Sequence, residues 1–220
     1  MFVSIASYKG GVAKTTTAVH LAAYLQTLAP TLLIDGDQNR SATRWAKRGS
    51  MPFVIADEKE AAYQARNFTH VVIDTAARPD SDDFEALAKG CDLLVIPTTP
   101  AVLDTDVLIL TLSAINRMAP DKYRVLLTKV PPPPETEGKE LREELQRQGI
   151  PVFVAEIPRL KAFEKAATDG VPVSTVHHKM AKRAWEAYEQ VGKEITTRHR
   201  EINKLSSKVG KKETARIARK

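Results

Sequence analysis

Nine residues near the start, Lys9-Gly10-Gly11-Val12-Ala13-Lys14-Thr15-Thr16-Thr17, constrain this chain more than any other stretch. An apolar run, Phe2–Ala6, leads into them, and an alanine-rich helical pattern, Thr16–Leu28, leads out. Strand, glycine loop, lysine, hydroxyl and helix form the layout of a phosphate-binding loop. Glycines let backbone N–H groups turn inward and approach an anion closely. The following helix points its positive end at the same place. Lys14 adds a mobile positive charge for β- and γ-phosphates, and Thr15 offers a hydroxyl to Mg²⁺.

Strand-like and helix-like stretches alternate along the whole chain. Strands are expected at Phe2–Ala6, Thr31–Ile34, Phe53–Ile55, His70–Ile73, Asp92–Ile96, Tyr123–Thr128 and Val152–Ala155. Helices are expected at Thr16–Leu28, Ser41–Arg48, Asp57–Arg66, Pro79–Lys89, Asp104–Met118, Glu137–Gln148, Leu160–Asp169 and Lys179–Arg200. The strands are nearly all apolar, as in a sheet covered on both faces. The alternation predicts an α/β fold, doubly wound, with a mostly parallel sheet and helices on both faces. Ligands then bind at the carboxyl ends of the strands. Residues 1–203 make one α/β domain, and 204–220 read as a basic, flexible tail.

The common loop spacing, G-x-x-x-x-G-K-S/T, fails here at Tyr8 and Ala13. What matches is K-G-G-x-x-K-S/T, with a second lysine ahead of the glycines. On these residues the chain resembles the ParA/MinD family of dimeric ATPases, whose phosphate loop is this deviant Walker type. The resemblance implies ATP and Mg²⁺ as ligands and ATP hydrolysis as the reaction. Gly10, Gly11, Val12, Ala13, Lys14, Thr15 and Thr16 then wrap the phosphates. Lys14 acts within its own subunit. Lys9 reaches across a homodimer interface to the partner subunit's ATP.

Acidic residues complete the pattern. His70-Val71-Val72-Ile73-Asp74 is an apolar strand ending in aspartate, the form of a Walker B strand. Asp74 would hold Mg²⁺ through a water, opposite Thr15. Leu32-Leu33-Ile34-Asp35-Gly36-Asp37 resembles the family's second acidic motif, which implies that Asp37 orients the attacking water and that Asp35 supports the loop. Thr128-Lys129-Val130-Pro131 and Ile157-Pro158-Arg159 fall where the family builds its adenine pocket, so Lys129 and Pro158 are expected beside the base. The guanine-reading N-K-x-D pattern is absent, which favours ATP over GTP. Ala13 stands where glycine is common, and Asp37-Gln38-Asn39 and Asp74-Thr75-Ala76-Ala77 lack prolines common in the family. These departures bear on hydrolysis more than on binding, and leave both acidic loops freer to move.

The net charge is +6 and unevenly placed. Thirteen of the Lys and Arg residues fall beyond Val176, against five acidic residues. The remainder is slightly acidic. Such an asymmetry points to a polyanionic partner. Lys179, Lys182, Arg183, Lys193, Arg198 and Arg200 are the expected contacts to non-specific DNA. By resemblance the chain is a short ParA-like ATPase, cytoplasmic and nucleoid-associated. It positions a plasmid, a chromosome region or a protein organelle such as a carboxysome. A ParB-like adaptor protein stimulates hydrolysis. The competing class is a MinD-like regulator on a membrane surface. Val209 to Lys220 offer few apolar residues for that role. A small-molecule enzyme of the dethiobiotin-synthetase type is a third class, which Lys9 and the Asp35/Asp37 motif disfavour. The single cysteine, Cys91, excludes an intrachain disulfide and suits a reducing compartment.

Overall fold

A computed structural model describes residues 1–7, 9–76, 81–100, 112 and 121–217. Its centre is one six-stranded sheet in the order β3-β2-β4-β1-β5-β6, every described pairing parallel. The strands are β1 (Phe2–Ile5), β2 (Thr31–Asp35), β3 (Val54–Asp57), β4 (His70–Asp74), β5 (Leu93–Thr98) and β6 (Tyr123–Leu127). The helices are α1 (Lys14–Gln26), α2 (Ser41–Ala46), α3 (Glu58–Gln64), α4 (Ser81–Gly90), α5 (Glu137–Arg147), α6 (Lys161–Asp169) and α7 (Ala181–Ile217). The helix expected over Asp104–Met118 lies outside the described residues, apart from the buried Leu112.

Alternate residues of each strand serve opposite faces. Val3, Ile5, Leu33, Val72, Val95 and Leu126 pack with α1, α2, α6 and α7. Leu94, Ile96, Val125 and Leu127 face α4 and α5, and Leu32, Ile34 and Val71 face α3. The sheet is therefore covered on both sides, which is why its strands carry so few polar residues. Asp57 caps α3 as its sequence position suggests, accepting the N–H groups of Lys59 (2.8 Å) and Glu60 (2.9 Å).

Two stretches depart from the sequence pattern. The strand expected over Val152–Ala155 is only an isolated bridge between Val152 and Val125. Glu194 of α7 takes the N–H groups of Val154 (3.0 Å) and Ala155 (2.7 Å) with its carboxylate, so they join no ladder. The second departure is α7. The regular pattern was expected to end near Arg200 and the tail to be irregular from 204, yet the helix runs on to Ile217. No proline interrupts 204–217, and its lysines, arginine and alanine are good helix formers.

α7 lies against α1, and one glycine sets how closely. A Cβ on Gly192 would sit 2.2 Å from the Tyr24 ring, inside any permitted contact. Gly192→Ala is expected to cost about 1–3 kcal/mol through overpacking, read from urea unfolding. An unchanged midpoint would show that α7 does not press on Tyr24.

Candidate functional site

The phosphate loop lies between β1 and α1, at the carboxyl edge of the sheet. Gly11 adopts φ 79° and Ala13 φ 65°, both left-handed. Ala13 closes the loop as the residue before α1. Glycine takes this conformation freely, whereas alanine is strained by its Cβ. The departure at position 13 therefore falls where glycine's freedom counts most. Gly10, Gly11 and Val12 line a cleft of about 390 Å³, in the size range of small-molecule sites. Lys9 stands exposed at its edge. Lys14 is buried in the first turn of α1, followed by the half-buried Thr15 and Thr16.

β6 braces the loop from the other side. The Thr128 hydroxyl lies 3.0 Å from the Val12 carbonyl and 3.0 Å from that of Thr98. The Lys129 ammonium donates to the Gly11 carbonyl at 2.7 Å. Lys129 thus lines the cleft, and its charged end points at the loop. Pro158 pairs with Val130 in a parallel bridge and is not among the cleft-lining residues. The wall instead includes Thr99, Pro100, Pro131, Glu135, Glu137 and Arg159, with Arg159 paired to Glu135 at 3.3 Å. Sequence reasoning assigned no role to these six. Only Pro131 and Arg159 stood in stretches already marked as pocket loops.

Parallel pairing brings three acidic positions together. Asp74 registers with Ile5 on one side and Asp35 on the other. Asp74 is fully buried, and neither carboxylate oxygen has a hydrogen-bond partner among the described residues. Burial pushes its pKa up to about 7, and Asp35 and Asp37 add to the shift. The Thr15 hydroxyl and the Lys14 ammonium offset it only in part. A buried carboxylate lacking donors, next to a hydroxyl and a lysine, fits a divalent cation. Mg²⁺ takes one or two protein oxygens and completes its shell with phosphate and water.

Asp35 and Asp37 differ in their commitments. One Asp35 oxygen accepts both the N–H (2.8 Å) and the hydroxyl (2.6 Å) of Thr43, tying β2 to α2. Asp37 accepts the Asn39 N–H at 2.9 Å and the Ser41 hydroxyl at 3.4 Å, and so holds its own turn. Arg40 donates to the Asp35 carbonyl and Arg44 to that of Asn39. These bonds hold the loop that lacks the family's proline. Gly36 packs closely here, since a Cβ would lie 3.1 Å from the Asp74 carbonyl and 2.9 Å from the Glu58 carboxylate.

The six basic candidates stand apart from the cleft. Lys179, Lys182, Arg183, Lys193 and Arg200 are exposed. Arg198 is not equivalent to them. Its guanidinium donates to the Asp121 carbonyl at 2.7 Å and pairs with the Asp121 carboxylate at 3.5 Å, anchoring α7 beside β6.

Two buried groups contribute in opposite directions to the pH response of folding. Asp74 titrates at 3.8 when unperturbed and near 7 when folded, so it favours folding at acid pH and loses that contribution between these values. His20, fully buried, is lowered from 6.5 to about 4 by burial. It favours folding above 6.5 and loses that contribution as pH falls toward 4. The two effects oppose each other and are each on the order of 3 kcal/mol. Unfolding free energy of Asp74→Asn should therefore fall more steeply between pH 7 and 4 than that of the parent protein. Equal slopes in both proteins would contradict the burial of Asp74. Separately, Ala13→Gly should raise stability by up to about 1 kcal/mol in denaturant titration. A loss would show that position 13 is not left-handed.

The comparisons with known proteins agree with this geometry. The family described as the CobQ/CobB/MinD/ParA nucleotide binding domain matches residues 3–173. The chain is 38% identical over 200 residues to the maintenance of carboxysome distribution protein A of Gloeobacter kilaueensis, covering 88% of this chain and 93% of that one. Its fold matches a chain of the MinC:MinD cell division protein complex of Aquifex aeolicus with a TM-score of 0.68 at 14% identity, over 89% of this chain and 95% of the other. It also matches a Cyanothece McdA variant in complex with ATP, at a TM-score of 0.60 and 15% identity, over 87% and 96%. Phosphate loop, acidic strand ends and parallel sheet together make this chain a member of the ParA/MinD family of nucleotide-binding ATPases.

Proposed function

We propose that this protein is an ATP-driven positioning ATPase whose ATP-bound homodimer holds non-specific DNA and distributes a cargo. A carboxysome is the first candidate, because the similar Gloeobacter protein carries that function in its name and aligns over nearly its whole length. A plasmid or chromosome region is the next. One observation carries the DNA half of this reading. The helix stacked on the phosphate-loop helix bears cations on its outer side. Lys182, Lys193, Arg200 and Lys204 follow one line of α7, opposite the buried Ala184, Tyr188, Val191 and Ile195; Glu186, which pairs with Lys182 at 3.9 Å, and Glu189 interrupt its first half, so the unbroken cationic stretch runs from Lys193 to Lys204. Such a stripe suits phosphates spaced along a duplex and carries no base-reading groups.

At the loop beside the cleft, Lys14 and the loop N–H groups would bind the triphosphate, and Thr15 and Asp74 would hold Mg²⁺, which would neutralise phosphate charge. Asp37 orients the attacking water in this reading. Lys9 serves the partner subunit. Its exposed stem contrasts with the buried Lys14, as expected if one lysine works within its own subunit and the other across an interface. An adaptor protein on the cargo stimulates hydrolysis and release, and the protein is cytoplasmic and nucleoid-associated. Among the described residues no helix is long and apolar enough to cross a membrane.

Co-sedimentation with mixed-sequence DNA and with anionic liposomes, in ATP and in ADP across a salt series, tests this reading. DNA binding should require ATP and weaken with salt by about 0.9 log units per log unit for each phosphate neutralised. Lys14→Ala should lose ATP itself. Lys9→Ala should keep ATP but lose ATP-dependent dimerisation and turnover, and Asp37→Ala should hold the ATP-bound dimer. ATP-dependent binding to liposomes alone would replace this reading with a MinD-like membrane regulator.

A further inference from the structure

The phosphate-loop helix carries a histidine that the mechanism above does not use. His20 is completely buried, and both ring nitrogens are engaged. Nδ1 lies 2.7 Å from the Thr16 carbonyl, and Nε2 accepts the Val173 N–H at 3.0 Å. A backbone N–H can only donate, so Nε2 must be the acceptor and Nδ1 must carry the proton. The ring is therefore neutral and held in a single tautomer. Burial lowers its pKa to about 4, so it stays in that form at neutral pH.

Three elements meet on this ring. Tyr188 of α7 stacks on it, with centroids 4.8 Å apart and planes 14° apart. Trp45 of α2 meets it edge-on at 5.9 Å, and Phe163 of α6 at 5.4 Å. Trp45 also donates its indole N–H to the Val171 carbonyl at 3.2 Å, two residues from the Val173 N–H that His20 accepts. The Tyr188 hydroxyl lies 3.1 Å from the Thr17 hydroxyl, and both groups are fully buried. The phosphate loop, the helix after the acidic Asp35–Asp37 loop, and the basic helix thus share one polar and aromatic cluster.

A leucine or phenylalanine at position 20 would fill such a core but leave the buried Val173 N–H without its acceptor. Buried polar clusters fix relative geometry, because each member must keep its partners. Thr17 adds a possible second state. A helical threonine hydroxyl can also bond back to the carbonyl four residues earlier. Here that carbonyl belongs to Ala13, the left-handed loop residue, which already accepts the Thr17 N–H at 2.9 Å. A shift of the loop on phosphate contact changes how well Ala13 competes with Tyr188 for that hydroxyl.

We propose that His20 and Tyr188 are positioning residues that couple phosphate contact at the loop to the setting of the basic helix α7. The coupling rests on the ATP-switch reading above, but not on DNA being the ligand of α7. Thr16 and Thr17 sense the loop, His20 passes the displacement to Tyr188 and to the 171–173 turn, and α7 rotates or shifts against α1. Trp45 brings the acidic loop into the same cluster, so both halves of the nucleotide site bear on α7.

Hydrogen–deuterium exchange over residues 181–204 of the full chain, with and without ATP, reads the coupling directly. ATP affinity and ATP-dependent DNA co-sedimentation are measured in parallel. In the parent protein, ATP should change exchange in α7. Tyr188→Phe keeps the ring and removes only the hydroxyl. It should retain ATP affinity within about threefold yet lose most of the α7 response, and the ATP-induced gain in DNA affinity should shrink by about tenfold. His20→Phe should behave likewise, while His20→Gln, which can both donate and accept, should restore part of the response. A normal α7 response in Tyr188→Phe and His20→Phe overturns the coupling. So does a parent protein that binds ATP with α7 unmoved, an outcome that leaves the ATPase reading standing. A parent protein that binds no ATP overturns both.

Discussion

Everything here depends on α1 being buried along its length. Ala18, Val19, Leu21, Ala22, Ala23 and Leu25 are all shielded, by the sheet on one side and α7 on the other. A helix apolar on all sides cannot slide toward solvent without exposing core. Its first turn, with Lys14 and Thr15, is therefore fixed relative to the strand ends. The loop in front of it is tethered to that turn, and Thr128 and Lys129, just after β6, bond its Val12 and Gly11 carbonyls. A phosphate site made of backbone N–H groups needs such a mount, because its electrostatic value depends on dipoles already aimed.

The same burial creates a cost that a ligand can repay. Asp74 sits near two other carboxylates at the sheet edge; the Thr15 hydroxyl is close, but the Asp74 oxygens make no well-formed hydrogen bond among the described residues. A protein selected for stability alone would place a smaller or neutral group there. A carboxylate in that position makes sense when a cation and its phosphates arrive together. In the proposed reading, the free energy that this burial costs would be recovered when nucleotide and metal bind together.

Much of this was legible in the chain because it is local. Gly10, Gly11 and Lys14 announce a loop between strand and helix, and apolar runs ending in Asp35 and Asp74 announce strand ends in a parallel sheet. What could not be read is what distant segments do to one another. Glu194 takes the N–H groups of Val154 and Ala155 across some forty residues, turning an apparent strand into a bridge. Arg198 looks like its basic neighbours in sequence, and only the fold shows it bound to Asp121. His20 appears as one polar residue in a helix, and its partners Val173, Tyr188 and Trp45 come from three other segments. The wall of the cleft formed by Glu135 and Arg159 is of the same kind. Periodicity and motif spacing contain none of these pairings.

The cations of α7 show why helix and stripe belong together. Lysines spread over a disordered tail would bind a polyanion in any nucleotide state, limited only by salt. Here Lys182, Lys193, Arg200 and Lys204 stand on a helix whose opposite face is packed, through Gly192, against the ring of Tyr24 on α1. Packing that tight leaves few relative settings of the two helices, since interiors are close-packed and respond in discrete steps. The stripe therefore moves as a unit with its helix, or not at all. Charge on a rigid mount can be gated by a ligand bound elsewhere, whereas charge on a loose tail can only be tuned by its amount.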